Sequence, residues 1–309
     1  MSIEPVSLTL YEKDFEAFSA AIIASFRRYG FAVVSDHDLP PDLVQGALAR
    51  TKEFFALPDQ TKRAYHKVGG AGQRGYTPFG VETAKGEKHH DLKEFWHVGR
   101  ELAPGHRYRA LLPDNVWPTE VQGFRSDLYG LYGAMDDLGR RILEAVAHGL
   151  GLPRDFFEKG VAEGNSVLRL LHYPPAPFDG PNVRAAAHED INVITLLLGA
   201  EEAGLELLDK DGRWLAINPP PGAVVCNIGD MLQRLTNHVL PSTTHRVANP
   251  APERRGVARY SMPFFLHFAP DYRIETLPSC VSADRPDRYP EPITADEFLL
   301  ERLREIRLA

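Results

Sequence analysis

The amino-terminal part of the chain has apolar residues at helical spacing, interrupted by one short run of strand-forming residues. Asp14 and Gly30 bracket the first helical pattern as a candidate N-cap and a candidate stop. The β-branched run at 31–35 predicts a strand, and residues 40–58 return to helical spacing. The pattern therefore predicts a helix, a strand and a second helix. The apolar positions of the first helix are Phe15, Phe18, Ile22, Ile23 and Phe26.

The middle and the end of the chain carry two further helical patterns. Residues 66–118 are rich in Gly, Pro, His and Lys and show no sustained period, so we expect long irregular connections over the surface. Residues 118–149 have apolar positions every three or four residues, which predicts a long supporting helix. The tail at 293–306 predicts one more amphipathic helix.

After Leu152 the pattern changes to short apolar runs broken by Gly, Pro, Asn and Asp, which predicts a β-sandwich or a β-barrel. Lys210-Asp211-Gly212 predicts a tight hairpin turn between two of these runs. We expect a mainly β, α+β protein with one domain over 1–309, in which 1–118 is helical and looped and 165–270 forms the β core. The runs are SVLRLLHY, NVITLLLG, GLELLD, RWLAI, AVVCNIG and ARYSMPFFLHF.

Composition and charge narrow the function classes. The chain of 309 residues has a net charge of −7, which disfavours nucleic acid as a partner. No apolar run approaches the roughly 20 residues that cross a bilayer, and the first residues lack the layout of a signal peptide. We therefore expect a cytoplasmic protein without a membrane partner. Cys226 and Cys280 are the only cysteines, and we expect reduced, buried thiols.

Two His-x-Asp triplets are candidates for metal binding. Residues i and i+2 of a strand point to the same face, so His188 and Asp190 could reach one metal ion. His89 and Asp91 form a second triplet, but they lie in a lysine-rich stretch where solvated side chains are expected. His188 and Asp190, in contrast, lie between two strand-like runs. We therefore favour His188 and Asp190.

Three residues near the end of the β region complete the candidate site. His245 is the candidate third ligand, because two His and one carboxylate form the facial triad of non-haem iron(II) oxygenases. Arg259 and Ser261 share one face of a strand and offer a guanidinium group and a hydroxyl to a carboxylate. An ordinary salt bridge is the alternative role for Arg259.

Several motifs in order resemble the isopenicillin N synthase-like group of 2-oxoglutarate/iron(II) oxygenases, over roughly Phe15 to Ile306. The resemblance implies a double-stranded β-helix, or jelly roll, flanked by helices. It implies that His188, Asp190 and His245 bind Fe(II), and that Arg259, Ser261 and Tyr173 hold the distal carboxylate of 2-oxoglutarate. The motifs are YGFAVVSDHDLP, KEFFALPDQTK, LRLLHYPP, HEDINVITLLL, GDMLQRLTNHVLPSTTHRV and RYSMPFFLHF.

The chain departs from this group in three places. Leu171 and His172 replace the Asn and Tyr that are common in plant members, so contacts to the co-substrate are expected to differ. His238 stands where Gly is usual, which alters a turn. The segment NPAPERRG between His245 and Arg259 is expected to form a longer hairpin.

We therefore expect an enzyme that uses Fe(II), 2-oxoglutarate and O2 to oxidise, by default to hydroxylate, a small molecule with release of succinate and CO2. One alternative is an iron oxidase that gives Arg259 to its substrate's carboxylate. Another is a non-catalytic barrel that binds a small molecule or a metal. Substrate identity and oligomeric state stay open. The candidate substrate-binding residues are Arg74, Tyr76, Phe95, Trp96 and Phe264.

Overall fold

A computed structural model describes residues 3–67, 72–82, 90–175, 183–198 and 204–305 of the chain. The strands of these ranges are β1 (Pro5–Ser7), β2 (Phe31–Ser35), β3 (Gly75–Thr77), β4 (Glu94–Gly99), β5 (Val167–Tyr173), β6 (Ala185–His188), β7 (Ile194–Leu198), β8 (Leu205–Leu208), β9 (Trp214–Ala216), β10 (Val224–Ile228), β11 (His245–Val247), β12 (Arg259–Leu266), β13 (Arg273–Ile274) and β14 (Ile293–Thr294). The helices are α1 (Thr9–Lys13), α2 (Phe15–Tyr29), α3 (Pro41–Phe55), α4 (Asp59–Arg63), α5 (Phe124–Gly149), α6 (Glu158–Val161), α7 (Asp230–Leu235) and α8 (Ala295–Glu305).

Two β-sheets form the centre of the fold. The large sheet has the strand order β1-β2-β10-β7-β12-β5-β4-β3, and the small sheet has the order β6-β11-β8-β9. Strands that are distant in sequence are neighbours in both sheets, so long crossovers connect them, as in a jelly roll. The predicted jelly roll with flanking helices is confirmed.

Helices cover one face of the large sheet. α2 and α3 pack against α5, and α5 contacts β4, β7 and β12. The buried side of α5 includes Leu128, Met135, Leu138 and Ile142, all fully inaccessible to solvent. The opposite face of the sheet is left to line a cavity. Within the described ranges, no helix is both long enough and apolar enough to cross a bilayer.

The ends of α2 and α5 show how local chemistry sets helix boundaries. The side chain of Asp14 accepts a hydrogen bond from the backbone N–H of Ala17 (3.0 Å), and Gly30 ends α2 in the left-handed conformation, with φ 68°. Both ends agree with the prediction. α5 begins at Phe124, later than the predicted Pro118, because Gly123 has φ 79° and cannot continue a helix.

The stretch at 66–118 is less irregular than predicted. It contains β3 and β4, and all six residues of β4 are buried within the large sheet. Since both faces of β4 are covered, its residues do not alternate between apolar and polar, and the two-residue period that identifies a strand is absent.

The two predicted hairpins have different outcomes. β8 pairs with β9 across the Lys210-Asp211-Gly212 turn, in which Asp209 Oδ1 accepts hydrogen bonds from the N–H groups of Asp211 and Arg213. The segment after β11 is not a hairpin. β11 belongs to the small sheet and β12 to the large sheet, so this segment connects the two sheets.

Cys226 and Cys280 are both free and buried, as predicted. Burial raises the pKa of each thiol. Protonated, buried thiols are poor nucleophiles, so neither residue is a candidate for redox chemistry.

We predict that Gly30→Ala destabilises the protein more than Gly105→Ala does. Both glycines have a left-handed φ, for which an L-residue costs about 1–2 kcal/mol. A Cβ atom on Gly30 would also lie 2.6 Å from the carbonyl oxygen of Pro241, whereas nothing lies within 4 Å at Gly105. Overpacking adds about 1–3 kcal/mol at Gly30. Urea unfolding measures both losses, and equal losses would contradict the packing argument.

Candidate metal centre and substrate cavity

Antiparallel pairing of β6 with β11 brings the two predicted His ligands together. His188 ends β6, and His245 begins β11 as its register partner. Asp190 follows His188 by two residues, and its Oδ1 atom lies 3.9 Å from Nε2 of each His. One candidate ligand atom from each residue lies within 4.8 Å of the other two. This spacing fits a two-His, one-carboxylate metal centre.

Backbone carbonyl groups orient both imidazole rings. Nδ1 of His188 lies 2.7 Å from the carbonyl oxygen of Ala186, and Nδ1 of His245 lies 3.0 Å from that of Thr243. A carbonyl oxygen can only accept, so each Nδ1 carries the proton and each neutral ring has its lone pair on Nε2. Burial and the neighbouring His245 lower the pKa of His188 to about 4, which favours the neutral ring that a metal requires.

Two buried side chains hold the Asp190 carboxylate. Thr195 donates a hydrogen bond to Asp190 Oδ2 (2.6 Å), and Asn227 donates another to the same oxygen (2.8 Å). Oδ1 is thereby left facing the two imidazoles. Burial raises the pKa of Asp190, but the two His residues and these hydrogen bonds outweigh it, and the net shift is downward. The sequence analysis missed Thr195 and Asn227, although a polar residue inside the apolar run AVVCNIG was a detectable signal.

Asp91 of the second His-x-Asp triplet has a structural role that the sequence analysis did not predict. His89 lies outside the described residues. Asp91 is buried, so the expectation of a solvated side chain is wrong for it. Its Oδ1 accepts the backbone N–H of Ala186 in β6 (3.1 Å), and its Oδ2 accepts from Lys93 (2.7 Å). Asp91 therefore supports the strand that carries His188.

Buried charges surround Lys93 on the wall beside the metal centre. Lys93 also contacts Glu82 (2.7 Å), and Arg169 lies 3.3 Å from the same carboxylate. Burial raises the pKa of Glu82, but Arg169 and Lys93 outweigh it and lower the net value. Arg169 Nε donates to His97 Nε2 (2.6 Å). The network is thus paired internally, and sequence reasoning missed it because polar, aperiodic stretches supply most of its members.

The predicted carboxylate anchor lies on paired strands of the large sheet. Arg259 in β12 is the register partner of Tyr173 in β5, and its guanidinium carbon lies 5.1 Å from the centre of the Tyr173 ring. Arg259 Nη1 donates to Ser261 Oγ (3.2 Å). All three side chains are buried. A buried guanidinium next to the Ser261 hydroxyl and over the Tyr173 ring fits a carboxylate ligand.

Leu171 and His172, the two residues that depart from the plant members, lie on opposite faces of β5. Leu171 is buried in an apolar cluster with Phe95 and Tyr173. His172 turns to the other face, where its Nδ1 lies 2.7 Å from Glu94 and its ring stacks on Tyr260. The interior near the anchor is therefore apolar at this position.

The His238 departure affects a turn, as predicted. His238 and Asn237 have positive φ values of 63° and 47°, a conformation that glycine adopts more easily. His238 Nε2 lies 2.7 Å from the hydroxyl of Tyr289.

A cavity of about 410 Å³ opens beside the triad and is lined by both sheets and by α8. Alternate residues in and beside β4, β5 and β12 face it, as the two-residue period of a strand requires. Phe95, a predicted substrate-binding residue, lies on this wall. The wall residues of the three strands are Lys93, Phe95, His97, Asn165, Val167, Arg169, Phe265 and His267.

The other four predicted substrate-binding residues do not line the cavity. Trp96 and Phe264 point to the opposite face of the sheet, where they pack against Phe54 and Tyr132. Tyr76 is fully buried and donates a hydrogen bond to Glu94. Arg74 packs so closely on Gly99 that a Cβ atom there would collide with the guanidinium group. Alternation of side chains across the sheet turns Trp96 and Phe264 away from the cavity, and core packing buries Tyr76 and Arg74.

Comparisons with known proteins agree with this geometry. A model of the non-haem dioxygenase N-terminal region (in morphine synthesis) matches residues 3–120, and a model of the 2OG-Fe(II) oxygenase superfamily matches residues 164–268. The chain is 34% identical over 281 residues to the 2-oxoglutarate-Fe(II) type oxidoreductase hxnY of Emericella nidulans, covering 87% of this chain and 79% of the relative.

Solved structures extend the similarity over nearly the whole chain. A 2OG-Fe(II) oxygenase family protein from Caulobacter crescentus is 64% identical, with a TM-score of 0.92 over 98% of this chain and 99% of that chain. A full-length Neurospora crassa protein, solved in complex with alpha-KG, is 28% identical, with a TM-score of 0.87 over 98% and 95% of the two chains.

The chain therefore belongs to the 2OG-Fe(II) oxygenase superfamily. It is an oxidoreductase that uses Fe(II), 2-oxoglutarate and O2 to oxygenate a small molecule. Its own residues fit these groups, since the two Nε2 lone pairs and Asp190 Oδ1 converge, and the buried Arg259 guanidinium next to the Ser261 hydroxyl is a donor set that suits a carboxylate. Of the three possibilities that the sequence left open, the family supports the 2-oxoglutarate-dependent enzyme.

We predict that Lys93→Met strongly destabilises the protein, because it leaves Glu82 and Asp91 buried without their shared counter-charge. Breaking such a buried pair costs about 3–5 kcal/mol. Urea unfolding measures the loss, with the exposed Lys159→Met as the matched control. Equal stability of the two variants would show that the network is not a structural requirement.

We predict that Thr195→Val weakens iron(II) binding about 10–100-fold, because Asp190 Oδ2 loses one of its two donors and the carboxylate can rotate. Thr51→Val is the matched control, since Thr51 is equally buried but donates to the Ala47 carbonyl of its own helix. Anaerobic iron(II) titration measures both affinities. An affinity for Thr195→Val that equals that of the control would contradict this role.

Proposed function

We propose that His188, Asp190 and His245 are the iron ligands, and that Arg259, Ser261 and Tyr173 bind the distal carboxylate of 2-oxoglutarate. One observation carries the proposal: every other polar atom of the triad is already engaged, Nδ1 of each His by a carbonyl oxygen and Oδ2 of Asp190 by two donors. The remaining atoms, Nε2 of the two His residues and Oδ1 of Asp190, therefore face each other. The assignment of Arg259, Ser261 and Tyr173 to 2-oxoglutarate is supported by two observations: these residues match the family motif, and their side chains are buried.

The bound metal and co-substrate supply the oxidising chemistry, in which 2-oxoglutarate takes one oxygen atom of O2 to become succinate and CO2 while the substrate takes the other. The chain's own residues orient the reactants. Thr195 and Asn227 fix the carboxylate, and the carbonyl groups of Ala186 and Thr243 fix the imidazoles. Leu299 and Leu303 of α8 line the cavity and help to exclude water from it.

We further infer that the reaction is hydroxylation of a small molecule in the cytoplasm, by a single domain over 1–309 with its β core at 165–270. A cavity of about 410 Å³ suits a compact substrate. Some relatives have small ligands: one is the proline hydroxylase buaE of Petromyces alliaceus, and the Neurospora crassa protein was also solved with thymine. The net charge of −7 supports the absence of a nucleic-acid partner.

We predict that Arg259→Ala weakens 2-oxoglutarate binding by about 100-fold or more while iron(II) binding is kept, because a buried charge pair is lost. His245→Ala should instead lose iron(II) binding. The visible band of the anaerobic iron(II)–2-oxoglutarate complex reports the first effect, and iron titration reports the second.

Arg213→Ala is the control for Arg259→Ala, because Arg213 is exposed in the β8–β9 turn. Full iron retention in His245→Ala would remove His245 from the ligand set. Unchanged 2-oxoglutarate binding in Arg259→Ala would assign Arg259 to the substrate instead.

A further inference from the structure

Asn165 and His267 are neighbours on the cavity wall. The register that pairs Val167 with Phe265 places Asn165 opposite His267 when it is continued past the strand ends. The backbone supports this arrangement, since Asn165 N–H donates to the carbonyl of Phe268 (3.3 Å). Both side chains line the cavity, and each is only 8% exposed.

One polar atom of each of these side chains lacks a hydrogen-bond partner in the part of the chain that the structure describes. Asn165 Oδ1 and His267 Nδ1 are inaccessible to solvent, and neither has a hydrogen-bond partner among the described residues. Burying such groups unpaired costs free energy, so a side-chain rotation that lets them pair with a ligand in the cavity is favoured. Other polar residues of the same wall differ, because Lys93, Arg169 and His97 bond to one another or to nearby carboxylates and carbonyls.

The pair lines the same cavity as His188 and Asp190. The Asp190 carboxylate acts on His267 and raises its pKa, although burial outweighs it and lowers the net value to about 4. The imidazole is therefore neutral near pH 7 and offers one donor and one acceptor. The carboxamide of Asn165 also offers both. Together they match a ligand that presents an adjacent donor and acceptor.

The charges and rings around the pair favour a neutral, flat ligand. Lys93 and Arg169 are balanced by Glu82 and Asp91, so they offer no free positive charge to an anion. Phe95 and Phe265 line the same wall, and the Arg169 guanidinium carbon lies 4.3 Å and 5.2 Å from their ring centres. Aromatic faces favour planar partners.

We infer that Asn165 and His267 are the substrate-recognition pair of this oxygenase, and that the substrate is a neutral cyclic amide or related N-heterocycle with adjacent N–H and C=O groups. A carboxylate only accepts hydrogen bonds, so it would pair with the donors of the two side chains and leave Asn165 Oδ1 without a donor. This inference rests on the proposed function, because it places the substrate beside the proposed iron ligands.

The test uses the full chain loaded anaerobically with Fe(II) and 2-oxoglutarate. Calorimetric titration compares 2-pyridone and thymine, which have the required groups, with benzoate, a flat anion of similar size. Both cyclic amides should bind more tightly than benzoate and should increase succinate formation when O2 is added. Asn165→Leu and His267→Phe should each weaken cyclic-amide binding about 10-fold, the effect of one lost hydrogen bond. Neither should change iron or 2-oxoglutarate binding.

His106→Phe is the matched control, because His106 contacts Glu163 away from the cavity and should not affect cyclic-amide binding. His267→Gln keeps a donor and an acceptor, and it should retain more affinity than His267→Phe if the side chain recognises substrate. Urea unfolding checks that all variants are folded.

Three outcomes would overturn the inference while leaving the proposed function intact: tighter binding of benzoate, no binding of either cyclic amide up to about 10 mM, or unchanged affinity in both the Asn165 and His267 variants. Failure of the wild-type chain to bind iron(II) and 2-oxoglutarate would instead contradict the proposed function itself.

Discussion

Alternation of side chains across the large sheet is the constraint on which the rest of the structure depends. Every second residue of β4, β5 and β12 faces the helices, and the residues between them face the cavity. Trp96, Leu168 and Phe264 bury their area under α5 and stabilise the sheet. The same strands therefore contribute core residues on one face of the sheet and cavity-lining residues on the other. A shift of register by one residue would exchange the two sets.

The small sheet contributes the two His residues of the candidate metal centre, and the carboxylate is supported from outside that sheet. His188 and His245 meet because β6 and β11 are antiparallel partners, but the carboxylate between them is held by Thr195 of β7 and Asn227 of β10, both in the large sheet. Asp91 reaches from the connection before β4 to the backbone of β6. Hydrogen bonds from the large sheet thus orient the Asp190 carboxylate, whereas carbonyl groups in or next to β6 and β11 orient the two imidazoles.

Buried charge shapes the cavity. Glu82, Asp91, Lys93 and Arg169 lie together with little access to solvent, and such charges are tolerated because each has an opposite partner at hydrogen-bond distance. Among the described residues of that wall, Asn165 Oδ1 and His267 Nδ1 are buried without a hydrogen-bond partner. The cations of this wall, Lys93 and Arg169, are thus paired with carboxylates, and the proposed carboxylate anchor, Arg259, lies at the other end of β12.

The sequence by itself determined the helices at either end, the jelly-roll class and the grouping of His188, Asp190 and His245, since helix caps, short apolar runs and ligand types are local properties or ordered motifs. It did not determine β4, because a strand buried on both faces has no alternating pattern, nor the inter-sheet path after β11. It also could not show which face of a strand meets the cavity, and so Phe95 lies on the wall while Trp96 and Phe264 lie in the core. Only the tertiary structure decided the partners of Asp190, the pairing of Asp91 with β6 and the unpaired groups of Asn165 and His267. These depend on contacts between residues far apart in the chain, and no local pattern records them.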